Sequence, residues 1–221
     1  MYVSILGDSI STWQGFNPAG YSVFYDERNA CIHGLSTVYD TWWAQVNQYL
    51  RAWLCVNNAY SGSRVSGQGF PAACSPERLR GLHTAQNNPD VILVYMGFND
   101  FGCGVPVWGA DSTCFVQAYD RMLYGLRKNY PQARILCGTL MRGYIKNRPD
   151  WEFPESFGGV PFAEYNRAIR TACSRNRCAL VDLEARGILY ETLDGTHPTA
   201  AGHTTIARCW ISCLRKDGAI I

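Results

Sequence analysis

The chain has 221 residues, 47% of them hydrophobic, enough for one globular domain with a sizeable core. Twenty basic and eighteen acidic residues leave a formal net charge of +2, and no Lys/Arg-rich run stands out, so nothing points to nucleic acid. No apolar segment approaches the length of a membrane span, and the N-terminus enters a strand-like run without a leader-like pattern before it, so no membrane partner is expected.

Taken in order, Tyr2 to Leu6 reads as a short buried strand that stops at Gly7-Asp8-Ser9-Ile10. Thr12 to Tyr39 follows as a long stretch without periodicity, holding Trp13, Phe16, Tyr21, Phe24 and Tyr25; a loop this long is either functional or an ordered excursion packing its own aromatics. Asp40 or Thr41 can cap a helix to about Trp53, with Trp42, Val46, Tyr49, Leu50 and Trp53 on one face. Leu54 to Asn57 reads as the second strand, Tyr60 to Gly69 as a glycine- and serine-rich loop, and Pro76 to Leu82 as a short helix. Val91 to Met96 is an unbroken apolar run, as expected of a strand buried on both faces.

A second loop, 97–111, precedes a helix expected from Ser112 to about Asn129 that turns Phe115, Tyr119, Met122, Leu123 and Leu126 inward. Arg134 to Leu140 is the fourth strand, Met141 to Val160 a third long loop, and Pro161 starts a helix with Phe162, Tyr165, Ile169 and Cys173 on one stripe. Ala179 to Leu183 is the fifth strand, and a helix from Ala200 to about Arg215 buries Ile206, Trp210, Ile211 and Leu214. The alternation predicts an α/β fold with a parallel sheet covered on both faces, as one domain over residues 1–221.

Ten cysteines fall mostly at core-like positions, among them Cys55, Cys114, Cys137, Cys209 and Cys213. Free cysteine behaves as a small buried hydrophobe, so a reducing, cytoplasmic setting is the simpler expectation, unless a removed leader once directed secretion. There is no Cys-x-x-Cys pair, and His33, His83 and His203 show no ligand spacing around Cys209 and Cys213. No metal and no other cofactor is therefore expected.

The chemistry-bearing residues lie at the two ends of the chain. A serine at the carboxyl end of a buried parallel strand sits where such sheets present chemistry, but its hydroxyl needs a base and the base an orienting group. Asp194-Gly195-Thr196-His197-Pro198 offers both within four residues, so Ser9, His197 and Asp194 can form a nucleophile–base–carboxylate set. Alone, Gly-Asp-Ser could be a turn and Asp-x-x-His-Pro a helix entry.

Four blocks together resemble the SGNH (GDSL-type) hydrolases: Gly7-Asp8-Ser9-Ile10, Gly62 within Tyr60-Ser61-Gly62-Ser63, Gly97-Phe98-Asn99-Asp100, and Asp194-Gly195-Thr196-His197, in the family's order. The resemblance implies a three-layer α/β/α sandwich with a five-stranded parallel sheet in the flavodoxin-like order 2-1-3-4-5. It also implies an ester hydrolase whose oxyanion donors are the backbone N–H groups of Ser9 and Gly62 and the side-chain amide of Asn99.

Around that set, Tyr60, Phe98 and Phe101 are expected to edge the acyl site and exclude long chains, and Arg64 either reads an anionic substrate group or is a solvated loop residue. Asp8 and Asp100 are expected to organise loops, Asn58 to support them, and His203 to be a packed or exposed helix residue. The aromatic loops suit a short acyl ester on a glycan or similar polar carrier; a lysophospholipase or thioesterase, and a non-catalytic glycan-binding module, are the alternatives. A phosphate-binding nucleotide loop at Gly7 to Ser11 lacks both the Walker lysine and the G-x-G-x-x-G spacing.

Overall fold

The computed structural model describes residues 1–111 and 113–216. Strands β1 (Tyr2–Gly7), β2 (Trp53–Ala59), β3 (Val91–Tyr95), β4 (Arg134–Gly138) and β5 (Ala179–Val181) form one parallel sheet in the order 2-1-3-4-5. This is the order that the resemblance implied. Every residue of β3 is buried, because helices cover both of its faces.

Among the described residues, six α-helices of five or more residues accompany the sheet: α1 (Trp42–Tyr49), α2 (Pro76–Arg80), α3 (Phe98–Gly102), α4 (Phe115–Asn129), α5 (Phe162–Asn176) and α6 (Ala200–Lys216). Helix α1 packs on α6, while α2 and α5 pack on α4. Right-handed crossovers between parallel strands put the two groups on opposite faces of the sheet. The apolar stripes of α4 and α5 point inward as their spacing required: Phe115, Tyr119, Met122 and Leu126 on one, Phe162, Tyr165, Ile169 and Cys173 on the other. On the opposite face Trp42 stacks on Trp210, with ring centroids 5.2 Å apart, and Tyr95 meets Trp42 edge-on.

Some boundaries differ from expectation. Helix α1 stops at Tyr49, because Leu50 caps it and Arg51 turns left-handed at φ 51°. Trp53 therefore starts the edge strand β2 and is 73% exposed, rather than sharing the buried face of α1; Tyr49 is also exposed. Strand β2 runs on to Ala59 because buried Asn57 and Asn58 satisfy their amides on the Ser11 and Gly81 carbonyls, each at 2.8 Å. Strand β4 ends at Gly138, after which the side-chain amide of Asn166 satisfies both the N–H and the C=O of Leu140. The expected start of α4 at Ser112 lies outside the described residues; the helix begins at Phe115 with Cys114 as its N-cap.

The long loops are ordered excursions. In the loop after Ser9, Ala30–His33 forms a helical turn, and the Tyr25 hydroxyl donates to the Pro198 carbonyl at 2.8 Å. In the third loop Gly143–Ile145 pairs in parallel with Tyr190–Thr192, Ser156–Phe157 pairs with Val160–Pro161, and Arg142 grips Glu155 with both guanidinium nitrogens. None of the ten cysteines is in a disulfide; Cys74, Cys114, Cys137, Cys173 and Cys209 are buried in the core, and Cys31 and Cys103 are exposed. Among the described residues, no helix is long and apolar enough to cross a membrane, and no cluster of three or more metal-ligating side chains occurs.

Candidate active site

The sheet order reverses direction beside β1, so the crevice at its carboxyl end is where an open α/β sheet places a ligand. Ser9 stands there, opening a 3-10 turn (Ser9–Ser11) that Asp8 caps by accepting the Ile10 N–H at 3.1 Å. Ser9 Oγ is 2.9 Å from His197 Nε2, and His197 Nδ1 is 2.6 Å from Asp194 Oδ2. The other carboxylate oxygen of Asp194 accepts the backbone N–H groups of Thr196 and His197 at 3.0 and 2.9 Å. One carboxylate thus shapes the turn and orients the ring that the turn carries. Burial pushes the Asp194 carboxyl up, but the hydrogen bonds from the His197 ring and backbone outweigh it and bring it down to about 2. With Asp194 ionised, Nδ1 is the protonated nitrogen, and Nε2 presents its lone pair to the Ser9 hydroxyl.

The loops after β2 and β3, the two neighbours of β1, leave the same edge of the sheet as Ser9. Tyr60 to Ser63 is a tight turn, with the Ser63 N–H on the Tyr60 carbonyl at 3.1 Å and Gly62 at φ 79°. That conformation suits glycine, and a Cβ there would meet nothing within 4 Å, so the Gly62 backbone borders open space. Asn99, in the first turn of α3, donates through Nδ2 to the Ser63 carbonyl at 2.9 Å, which leaves a second N–H on the same amide. The next residue, Asp100, is fully buried and accepts the Val65 and Ser66 N–H groups, one on each oxygen, at 2.7 and 2.9 Å. Burial raises its carboxyl above the ordinary range. Asn99 and Asp100 together fasten the Gly62 loop to α3.

Several parts of the site carried no local signal in the sequence. Phe24 lies flat against the His197 imidazole. Arg78, on α2, is fully buried beside the Ser9 turn; its guanidinium donates to the Gly7, Asn58 and Pro71 carbonyls and to Asn58 Oδ1, at 2.6 to 2.9 Å. A patterned run around it would have marked it only as a polar helix residue. His203 is completely buried: its Nδ1 accepts the N–H of Trp42 at the start of α1, and burial pushes its imidazole down to about 3, so it stays neutral. Asp8 holds its turn as expected, but its Oδ2 is buried without a hydrogen-bond partner among the described residues. Burial pushes that carboxyl up to about 7, against the Ile10 N–H and the nearby His197 and Arg78.

The residues expected to edge the acyl site are placed differently. Phe98 and Phe101 are three residues apart on α3, on a face turned into the core, and are 5% and 3% exposed. With Asp194, Gly195 and Thr196 they line a cleft. Tyr60 does stand beside the Gly62 turn, half-buried against Tyr21 and Phe70 at 5.2 Å each. Arg64 is exposed on the loop that Asp100 holds.

Comparison with known proteins finds others of the same fold. Over its full length the chain superposes on a GDSL-like lipase from Bacteroides ovatus, with 22% identity, 97% of this chain and 98% of that one covered, and a TM-score of 0.72. A family two carbohydrate esterase from Clostridium thermocellum, solved with cellohexaose, shares the fold at 19% identity and a TM-score of 0.61, covering all of this chain and 65% of that one. A stretch of 49 residues is 41% identical to the cellulase/esterase CelE of Acetivibrio thermocellus, taking in 22% of this chain but only 6% of that protein. The model of the GDSL-like lipase/acylhydrolase family matches residues 1–146. The chain belongs to the GDSL-like lipase/acylhydrolase family.

Proposed function

We propose that the protein is a serine esterase that removes short, acetyl-type acyl groups from a carbohydrate or similarly polar carrier, using Ser9, His197 and Asp194. The observation that carries this is the continuous line of hydrogen bonds from Ser9 Oγ through both imidazole nitrogens to Asp194, at 2.9 and 2.6 Å. In the first half-reaction Ser9 Oγ attacks the ester carbonyl while His197 Nε2 takes its proton. The carbonyl oxygen becomes an oxyanion, received by the N–H groups of Ser9 and Gly62 and the amide of Asn99. Collapse expels the alcohol, which takes the proton back from Nε2, and leaves an acyl-serine. Water then repeats the sequence, releasing the carboxylic acid and restoring Ser9. Asp194 fixes the Nδ1–H tautomer and stabilises the imidazolium in both halves.

The carbohydrate preference draws on the fold shared with the family two carbohydrate esterase and the short stretch shared with CelE. The short-acyl preference draws on the cluster of Tyr21, Tyr60 and Phe70 rings packed beside the Gly62 turn. An acyl groove would gain about 0.8 kcal/mol per methylene, nearly fourfold in rate per carbon. A p-nitrophenyl ester series should therefore peak between acetate and butyrate. A steady rise through decanoate would favour the lysophospholipase or thioesterase alternative. A fluorophosphonate probe should label the wild type and not Ser9→Ala, whose melting temperature should be almost unchanged. Labelling that persists in Ser9→Ala would sink the assignment, and a wild type that binds glycans without labelling would make this a binding module.

A further inference from the structure

The cleft floored by Phe98 and Phe101 has a volume of about 360 Å³, within the roughly 300–1,000 Å³ typical of small-molecule sites. Its walls are Trp151, Phe153 and Phe157 from the third long loop, and Asp194 to Thr196 from the loop that leads into His197. Phe153 stacks on Phe101 with planes 10° apart, while Phe157 is 42% exposed at the rim. Trp151 is seated directly on the histidine loop: a Cβ at Gly195, which has φ 98°, would lie 2.5 Å from its indole. Only glycine lets this ring and the loop approach so closely.

We infer that this cleft holds the alcohol half of the ester, and that the alcohol is an uncharged, polyhydroxylated ring such as a pyranose. The inference rests on the esterase reading above and specifies its substrate. The cleft borders Asp194, but its lining includes none of Ser9, His197, Gly62 or Asn99. What fills it therefore lies away from the reacting carbonyl, and for an ester with a short acyl group that part of the substrate is the alcohol. Indole and phenyl rings offer flat apolar faces to the C–H face of a sugar, while Thr196 and the exposed Glu152 offer polar atoms for its hydroxyls. Two carboxylates, Glu152 and Asp194, line the cleft and no described lysine or arginine does, so the phosphates of an anionic phospholipid headgroup or of a nucleotide-bearing thiol would be repelled.

The test compares two acetate esters that differ only in the alcohol: an O-acetylated methyl glucopyranoside and methyl acetate. Phe157→Ala, Trp151→Ala and Glu152→Gln are assayed on both. Losing a ring contact should cost up to about tenfold in kcat/KM on the glycoside, chiefly through KM, and at least fivefold less on methyl acetate. Phe157 and Glu152 guard against a Trp151→Ala change that merely disturbs the histidine loop. Equal losses on the two esters, no loss on either, or a changed ratio of acetate to octanoate turnover would overturn the assignment while leaving the esterase intact. A wild type that turns over neither ester, with Ser9 unlabelled, would remove the esterase reading itself and the subsite with it.

Discussion

Phe24 lies face to face on His197, with ring centroids 3.7 Å apart and planes 4° from parallel. The contact is tied to the nucleophile turn, because the Phe24 N–H donates to Thr12 Oγ1 at 2.9 Å and that hydroxyl donates to the Ser9 carbonyl at 2.8 Å. The phenyl face holds the imidazole in the plane it needs to reach both Ser9 and Asp194. In the proposed reaction it would also present π-density to the positive charge developing on the ring.

Phe24→Ala should therefore lower kcat by about 2- to 13-fold, corresponding to roughly 0.5–1.5 kcal/mol, with little change in KM. Phe24→Tyr, which keeps the face, should restore it, whereas Phe24→Leu should not. Steady-state kinetics on one acetate ester decide the matter. A purely structural role would instead predict that leucine rescues as well as tyrosine.

Asn99 donates to the Ser63 carbonyl and, in the proposed reaction, its second N–H would serve the oxyanion. Asn99→Ala should lower kcat by roughly 10²–10³ with a smaller effect on KM. Losing the bond to Ser63 should also cost about 1 kcal/mol of stability, read from urea denaturation. A change confined to KM would move Asn99 from transition-state stabilisation to substrate binding.

Arg78 satisfies three backbone carbonyls from a site with no exposure, and one of them belongs to Gly7, two residues before the nucleophile. Arg78→Met removes those donors and leaves the carbonyls buried, which should cost about 3 kcal/mol or more. Arg78→Lys should recover little, since an ammonium cannot reproduce the planar fork. Full stability in either variant would show that the carbonyls find other donors.

Asp8 should give the enzyme an unusual pH dependence of stability. Its carboxyl titrates near 7 in the folded chain because burial disfavours the charge, against an ordinary value of 3.8. Between those values the folded state binds the extra proton, so this group's contribution to stability falls as pH rises from about 4 to 7. Each unit of the difference corresponds to about 1.4 kcal/mol. Asp8→Asn keeps an oxygen for the Ile10 N–H and removes the titration. Its melting temperature should gain on the wild type steadily across that window, and a constant difference from pH 4 to pH 8 would contradict this.

The elements with a strong period were legible without coordinates. The run Val91 to Tyr95 is a buried strand, and the stripes of α4 and α5 are buried, because apolar spacing and burial are the same constraint seen twice. The end of α1 was not legible, since Arg51 carries no glycine to announce its left-handed turn. The strand order came from the four motif blocks and not from periodicity, which is blind to which strands are neighbours.

At the site the division is sharper. Ser9, Asp194 and His197 stand in short motifs whose local turns the sequence itself dictates, down to the Asp194 carboxylate accepting two N–H groups of its own turn. The sequence determined the family to which the chain belongs and the edge of the sheet at which these motifs gather. Tertiary structure alone decided that Phe24 covers the imidazole, that Arg78 props the nucleophile turn, and that Trp151 rests on Gly195. Those side chains come from loops or a short helix with no periodic signal, and they reach the site only when long stretches of chain close on one another, an arrangement that local spacing does not encode.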